Sequence, residues 1–572
     1  MTRIAVLGAG HVGPVIARVA VAAGYDVSIA ASGDPAKIAL ITQFLAPGAQ
    51  PRWAADAVAD ADLVVLSIPL HRFPTFDPAV VDGKLVVDTM NYWPPVDGVR
   101  EMFEDPRYGS SEIVAHRLAG STIVKTLNHI GYHELEDDRR PAGDPRRRAL
   151  GVAGEDPGAV AAVADVVERI GYDAVRLEGL RGPPPPTRRP GLRRAASPRR
   201  VRARGARRRR IAKEAHMTTP APEFPLVLGL DTFGDLTDDD TGHRLSHAQT
   251  IRDVVEEGVL AEQVGVDFFG IGEHHTDDFP MPAADVVLSA IAARTSRIRL
   301  GSAVTVLSSD DPVRVFQRYS TLNAVSGGRA EVILGRGSSI DSFPLFGYDL
   351  ADYEDLFEEK TNLFAELLKG GPVTWKGKTR AALHDQDVVP HTESGPFPAW
   401  IGVGGSPQSV VRAAYYGFSL MLAIIGGSPA RFEPFSKLFR QALRQLDRPP
   451  LPVGVHSPGH VAATDEQARA EFWPHYREMI RRMSETRGFA VPTEESFAYE
   501  VGPHGALYVG SPDTVAQKIA ANLTLLGANR FDLKYGMGGL SHETLMTAIE
   551  LYGTQVIPRV RQLQAQEAAI RQ

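Results

Sequence analysis

The stretch VDFFGIGEHHTDDF, residues 266–279, decides how the rest of the chain is read. Residues 266–272 form an apolar run with the length of a buried strand, and Glu273-His274-His275 ends it in charge. An apolar run that stops in charge marks the point where a core gives way to a cleft. Adjacent imidazoles at the carboxyl end of a strand sit where α/β barrels do their chemistry. The bland alternative is a solvated loop with a metal-like look, and the flanking segments decide between the two.

Those segments alternate. Residues 226–233 read as a first strand. Residues 249–264 carry Ile251, Val254, Val255, Val259 and Leu260 at helical spacing. After the second strand come a helix over 283–294, a strand over 298–307, a helix over 313–325 and a strand over 330–334. Further strands are expected at 399–403, 419–424, 453–462 and 530–534. Eight strands alternating with helices predict a (β/α)8 TIM barrel over residues 217–572. Residues 335–398 are expected to be a loop insertion at its mouth.

Three strand ends carry candidate chemistry: Glu273-His274-His275, Ala303-Val304 within the third strand, and Gly335-Arg336-Gly337-Ser338 after the fourth. Gly404-Gly405-Ser406 follows a strand and opens a helix, so its amides can hold a phosphate. Arg336 can reach the same anion with two parallel bonds, or form a salt bridge at the mouth instead. No metal is expected, because only Asp277 and Asp278 lie close by and no spaced third ligand follows.

The first 180 residues read as a different unit. A short apolar strand runs into Gly8-Ala9-Gly10-His11-Val12-Gly13, then a helical pattern over 14–23, Gly24 and a second strand over 26–30. The first glycine permits the tight turn, the second lets backbone approach a pyrophosphate, and the third lets helix pack on strand. In that context the turn predicts a Rossmann-like, doubly wound, dinucleotide-binding domain. The second strand ends in Ala30-Ala31-Ser32-Gly33, with no carboxylate to bind ribose hydroxyls, so NADPH is favoured over NADH and Ser32 can donate to its 2′-phosphate. Strand ends at Pro69-Leu70-His71 and at 89–95 would lie beside the nicotinamide.

Between the two units, residues 181–210 hold 13 arginines, 6 prolines and no acidic residue. Such a segment cannot bury enough apolar surface to fold, so 181–216 is expected to be a disordered Arg/Pro-rich linker. It reads as a basic tether, as a plain spacer, or as the out-of-frame product of a GC-rich gene, with Met217 the start of a separate protein. Without those arginines, 49 Lys and Arg stand against 69 Asp and Glu, so the folded parts are acidic and no nucleic-acid partner is expected. The chain has no cysteine, which excludes disulfides and thiolate chemistry and fits a reducing cytosol; a cytoplasmic enzyme is expected. No apolar run approaches the roughly 20 residues of a membrane helix, and the start MTRIAVLGAG is not a secretory signal.

Two resemblances follow from these residues. LGAGHVG, LSIPLHRF, VVDTMNYWPPVDG and VKTLNHIGY make residues 1–180 similar to the NADPH-dependent reductases of coenzyme F(420). That resemblance implies NADPH binding by Gly8, Gly10, His11, Val12, Gly13 and Ser32, with Pro69 and Asn128-His129 near the hydride site. The likeness stops at Leu180, where such reductases continue into a segment that helps cover the substrate.

GIGEHHTDDF, IRLGSAVTVLSSDDPVRVFQ, LNAVSGGRAEVILGRGSSIDSFPLFGYD, WIGVGGSPQSVV and HGALYVGSPDTVAQKI make residues 226–560 resemble the bacterial-luciferase-like flavin monooxygenases. This implies reduced FMN at the carboxyl face, O2 as co-substrate and a small organic substrate such as an aldehyde. It implies a bulge with a non-proline cis peptide at Ala303-Val304 beneath the ring, and phosphate near Gly404, Gly405, Ser406 and Arg336. His274, with Glu273 beside it, takes the place of the family's catalytic histidine at the flavin 4a position, and Gly335 replaces its reactive cysteine. Reduced flavin would come from the front domain or from a separate flavin reductase, and a homodimer through the barrel is expected. The alternatives are an oxidoreductase dependent on F(420), a cofactor used within the same superfamily, and a flavin-binding scaffold with an inactive front domain.

Overall fold

The computed structural model describes residues 2–10, 12–92, 101–103, 108–131, 134–180, 224–239, 242–337, 341–393, 395–487 and 491–571. The basic segment 181–216, and with it the linker and reading-frame expectations, lies outside the described residues, as do His11 and Ser338.

In the front domain, β1 (Arg3–Leu7) pairs in parallel with β2 (Asp26–Ala30) and β4 (Leu63–Leu66). The other strands are β3 (Gln50–Pro51), β5 (Leu85–Asp88), β6 (Thr122–Lys125), β7 (Ala149–Gly154) and β8 (Asp173–Glu178). Their order is β3-β2-β1-β4-β5-β6-β7-β8, and only the β6–β7 pair is antiparallel. Alternation shows that both faces are covered: Ile4 and Val6 join one apolar cluster, Ala5 and Leu7 another. A strand buried on both sides must be apolar throughout, which is why IAVL and LVVL were readable as strands. The doubly wound expectation is met.

The barrel strands are β9 (Val227–Thr232), β10 (Phe268–Ile271), β11 (Arg299–Ser302), β12 (Thr305–Val306) and β13 (Ala330–Gly335). After a two-stranded hairpin of β14 (Val373–Trp375) and β15 (Leu383–Gln386) come β16 (Ala399–Val403), β17 (Ser419–Ala423) and β18 (Val453–Val461). β19 (Tyr508–Gly510) extends β18, and β20 (Arg530–Lys534) pairs with both β18 and β9. The sheet runs β11-β10-β9-β20-β18-β17-β16-β13-β12, and β11 also pairs β13, so the ring closes. All pairs in it are parallel, and the strand ends that follow the chain direction therefore share one rim.

The third strand breaks at Ala303-Val304, where the peptide bond is cis as the resemblance implies, and resumes as β12. One sequence expectation is corrected. Residues 335–398 are not a mere loop insertion, because they contain the amphipathic helix Tyr353–Leu367 and the hairpin. Phe357, Leu363, Phe364 and Leu367 bury that helix against the barrel core. Among the described residues, no helix is long and apolar enough to cross a membrane.

Inside the ring the lower end is plugged. Val227, Phe268, Ile333, Trp400 and Met421 form a cluster separate from the outer core. Arg530, fully buried, lies 3.9 Å from the Phe268 ring centre and 4.7 Å from that of Trp400. It pairs with Glu331 at 2.5 Å and Asp532 at 2.9 Å, and Arg299 reaches Glu331 from outside at 2.6 Å. Buried charges persist only when paired and hydrogen-bonded in this way.

Candidate active site

The site begins with the last inward position of each strand. Phe268, Ile333, Trp400 and Met421 face inward, so side-chain alternation turns Gly270, Gly335, Gly402 and Ala423 inward at the rim. Asp231, Lys534 and His456, which is level with Ala423, face inward by the same count. The rim is therefore two unlike arcs. One is almost stripped of side chains; the other carries an acid, an imidazole and an ammonium.

Val304 occupies the stripped arc. A Cβ on Gly335 would lie 2.4 Å from its Cγ2, and one on Gly402 would lie 3.1 Å from its Cγ1. A Cβ on Gly270 would meet Ala303 Cβ at 3.0 Å and Asp231 Cβ at 3.1 Å. These glycines leave room for Ala303-Val304 to lie across the interior as a low shelf. Val304 touching both Gly335 and Gly402 also brings the ends of the third, fourth and fifth barrel strands together at one pole.

His274 lies in the loop after β10, next to Glu273, whose amide donates to the Val304 carbonyl at 3.0 Å. Its ring centre lies 4.7 Å from Phe233 and 5.0 Å from Phe279, and its amide donates to the Met281 carbonyl at 3.2 Å. Glu273 is tied down at both oxygens: Oε1 bonds His275 Nε2 at 2.9 Å, and Oε2 accepts from the Val306 amide at 2.9 Å. Its observed work is to lock the loop onto the resumed third strand. His275 meets Phe346 edge-on at 5.2 Å.

On the charged arc, His456 Nδ1 lies 2.7 Å from Asp231 Oδ2, and its ring stacks on Phe233 at 6.0 Å. Lys534 donates to Asp235 at 2.7 Å and to the Gly536 carbonyl at 2.6 Å, with its ammonium 4.9 Å from the Phe233 ring centre. Burial alone would push the His456 pKa down; the charge and hydrogen bond of Asp231, helped by Asp532 and opposed by Lys534, leave it raised. None of these three residues was singled out from sequence. The signal was present: a histidine and a lysine at inward positions of otherwise apolar strands.

The glycine turn after β16 has the expected form. A Cβ on Gly404 would meet nothing within 4 Å, and Gly405 adopts φ 137°. Ser406 caps the helix Pro407–Tyr416 by accepting from the Ser409 amide at 3.3 Å. The open amides and helix dipole suit an anion. Arg336 takes the salt-bridge alternative: it pairs with Glu354 and lies over Tyr353 at 5.2 Å. Arg412, from the capped helix, reaches Glu354 at 3.5 Å and Glu358 at 2.5 Å, so both guanidiniums stand in a network beside the turn.

In the front domain the three glycines divide their duties as expected. A Cβ on Gly8 would lie 2.1 Å from the Ser67 carbonyl, one on Gly13 1.7 Å from the Gly8 carbonyl, and one on Gly10 would meet nothing within 4 Å. Val12 opens the following helix, Ser32 is exposed after β2, and Pro69 follows β4. His129 accepts the Gly151 amide at 2.9 Å through Nε2, and burial first, then Arg148 and Lys125, lowers its pKa. That histidine works as an acceptor that ties the loop after β6 to β7.

Among the described residues no group of three His, Asp or Glu is placed to hold a metal ion. Residues 3–92 match the family described as NADP oxidoreductase, coenzyme F(420)-dependent. Limonene 1,2-monooxygenase of Rhodococcus erythropolis is 28% identical over 273 residues, covering 45% of this chain and 68% of that protein. An F(420)-dependent glucose-6-phosphate dehydrogenase of Amycolatopsis mediterranei is 28% identical over 162 residues, covering 27% of this chain and 48% of that protein. The crystal structure of monooxygenase RslO1 from Streptomyces bottropensis superposes with a TM-score of 0.52 at 20% identity, over 58% of this chain and 99% of that one, which shows the shared fold. Residues 232–530, more than half of the sequence, match the luciferase-like monooxygenases, and the chain belongs to that family.

Proposed function

We propose that this chain oxidises a small organic substrate with reduced FMN and O2, and that its front domain binds NADPH as the source of reducing equivalents. The observation that supports this reading is the stripped arc, where Gly270, Gly335 and Gly402 carry no side chain and Ala303-Val304 packs against all three. The residues fit the cofactor at both ends: the shelf would take the ring, and Gly404, Gly405 and Ser406 would take its phosphate. Bound reduced FMN would supply the electrons that activate O2.

The protein's own part is positioning, water exclusion and proton transfer. Phe233 and Phe279 both pack against the His274 ring and keep water from that part of its surface. His274 would move a proton at an imidazole nitrogen, a task suited to a group whose unperturbed pKa is near ~6.5. Glu273, through the Val306 amide and His275, holds the loop that presents it.

A second reading is favoured by the front domain's family and by the F(420)-dependent relative: F(420) in the same mouth, without oxygen chemistry. Oxygen uptake by the full chain with reduced FMN, with and without a small aldehyde, separates the two. Substrate-dependent uptake is expected; none, together with NADPH-driven reduction of F(420), would move the assignment to the deazaflavin. In the same assay His274→Ala should keep FMN binding and lose on the order of a hundredfold in turnover. Unchanged turnover would remove His274 from the mechanism.

A further inference from the structure

The charged arc of the rim does nothing that the fold alone requires. Asp231 faces the barrel interior and is wholly buried: its relative exposure is 0%, Oδ2 bonds His456, and Oδ1 has no partner among the described residues. A carboxylate so placed demands a counter-charge. The ladder neighbours do not spare one. Lys534 is committed to Asp235, and Arg530 lies in the floor with Glu331 and Asp532. His456 is the group left to balance Asp231.

His456 has a second nitrogen. Nδ1 faces Asp231, while Nε2 makes no hydrogen bond among the described residues. Its side chain keeps 10% of its area exposed. Because the residue faces inward and the floor below is packed by Arg530, Phe268 and Trp400, that exposure opens only toward the mouth. When protonated beside Asp231, the ring presents an N–H donor and a positive charge toward the mouth.

We propose that the His456–Asp231 pair is the electrostatic partner of the ring's polar edge: its Nε2–H meets that edge and favours the reduced, more negative form of a bound flavin or deazaflavin. The assignment rests on the reading of the mouth as a flavin site. It adds a positioning residue on the charged arc, where Phe233 contacts both its ring and that of His274. A preorganised charge in a dry site acts without reorganisation, so its effect on the reduced form exceeds what the same charge would give in water.

The experiment uses the full chain and two probes, FMN and F(420). Each is titrated in its oxidised form and, under anaerobic conditions, in its reduced form, and the midpoint potential of the bound ring is measured. His456→Gln and Asp231→Asn should bind the oxidised ring within about twofold of wild type and lose about tenfold in preference for the reduced ring, a fall of roughly 30 mV for a two-electron couple. A wild type that binds neither probe overturns the flavin reading and the assignment together. A wild type that binds one, with potentials unchanged in both variants, overturns the role of His456 alone. Should either variant fold poorly, the His456 imidazole resonance of the wild-type chain is followed as the oxidised probe is added; a shift supports the contact, and an unmoved resonance at saturation overturns it.

Discussion

In the front domain, Gly8 and Gly13 are glycine because the protein's own carbonyls occupy the space a Cβ would need, whereas in the barrel turn Gly404 has nothing within 4 Å of that position. Gly10 belongs with Gly404: its surroundings are equally open. The difference separates two meanings of one residue type. A glycine pressed on backbone is demanded by packing; a glycine beside empty space keeps a path clear for something that arrives later. The barrel helix is capped by Ser406, so its first amides are partly satisfied without a ligand.

Substitutions can break this contrast, and the largest effect is expected at Gly13. Its Cβ would sit 1.7 Å from a backbone oxygen that cannot rotate away, so Gly13→Ala should cost the front domain upwards of about 3 kcal/mol and abolish NADPH binding. Thermal unfolding followed together with NADPH fluorescence reads both. Next comes Gly405→Ala in the barrel turn, where φ 137° is a conformation for glycine; about 1–3 kcal/mol of strain should appear as a lowered unfolding temperature. Ser406→Ala should cost about 1 kcal/mol through the lost cap. The smallest effect on stability, within about 0.5 kcal/mol, is expected for Gly10→Ala and Gly404→Ala. Those two sharpen the comparison: each should weaken its own cofactor, NADPH or FMN, and leave the other's affinity unchanged. Equal affinities in variant and wild type would erase the distinction drawn here.

Much of this architecture could be read from residue order, because its signals are local. Apolar runs such as FFGI and AEVILG mark buried strands, and the turn at Gly8 to Gly13 has a strand before it and a helix after it. The helix Tyr353–Leu367 puts Leu356, Leu363 and Leu367 on one face, but within residues 335–398, between barrel strands, that one period does not by itself distinguish a packed helix from an insertion at the mouth. The charged interior was illegible for a different reason. Arg530 and Glu331 are 199 residues apart in the chain, and His456 and Asp231 are 225 apart. A lone charge in an apolar strand is uninterpretable until closure of the ring supplies its partner. Arg336 is the converse case: its role as an anion ligand was plausible from position, and Glu354, only 18 residues on, engages it first.

The guanidinium wedged between Phe268 and Trp400 closes the lower end of the barrel. Whatever enters past the imidazole at position 274 has no back door. A ring lying across the opening would also be a stopper, so a second molecule must approach over its exposed face, and the product must retreat by that same route. Order of arrival is thereby written into the plug at the far end, 256 residues along the chain from the histidine it governs.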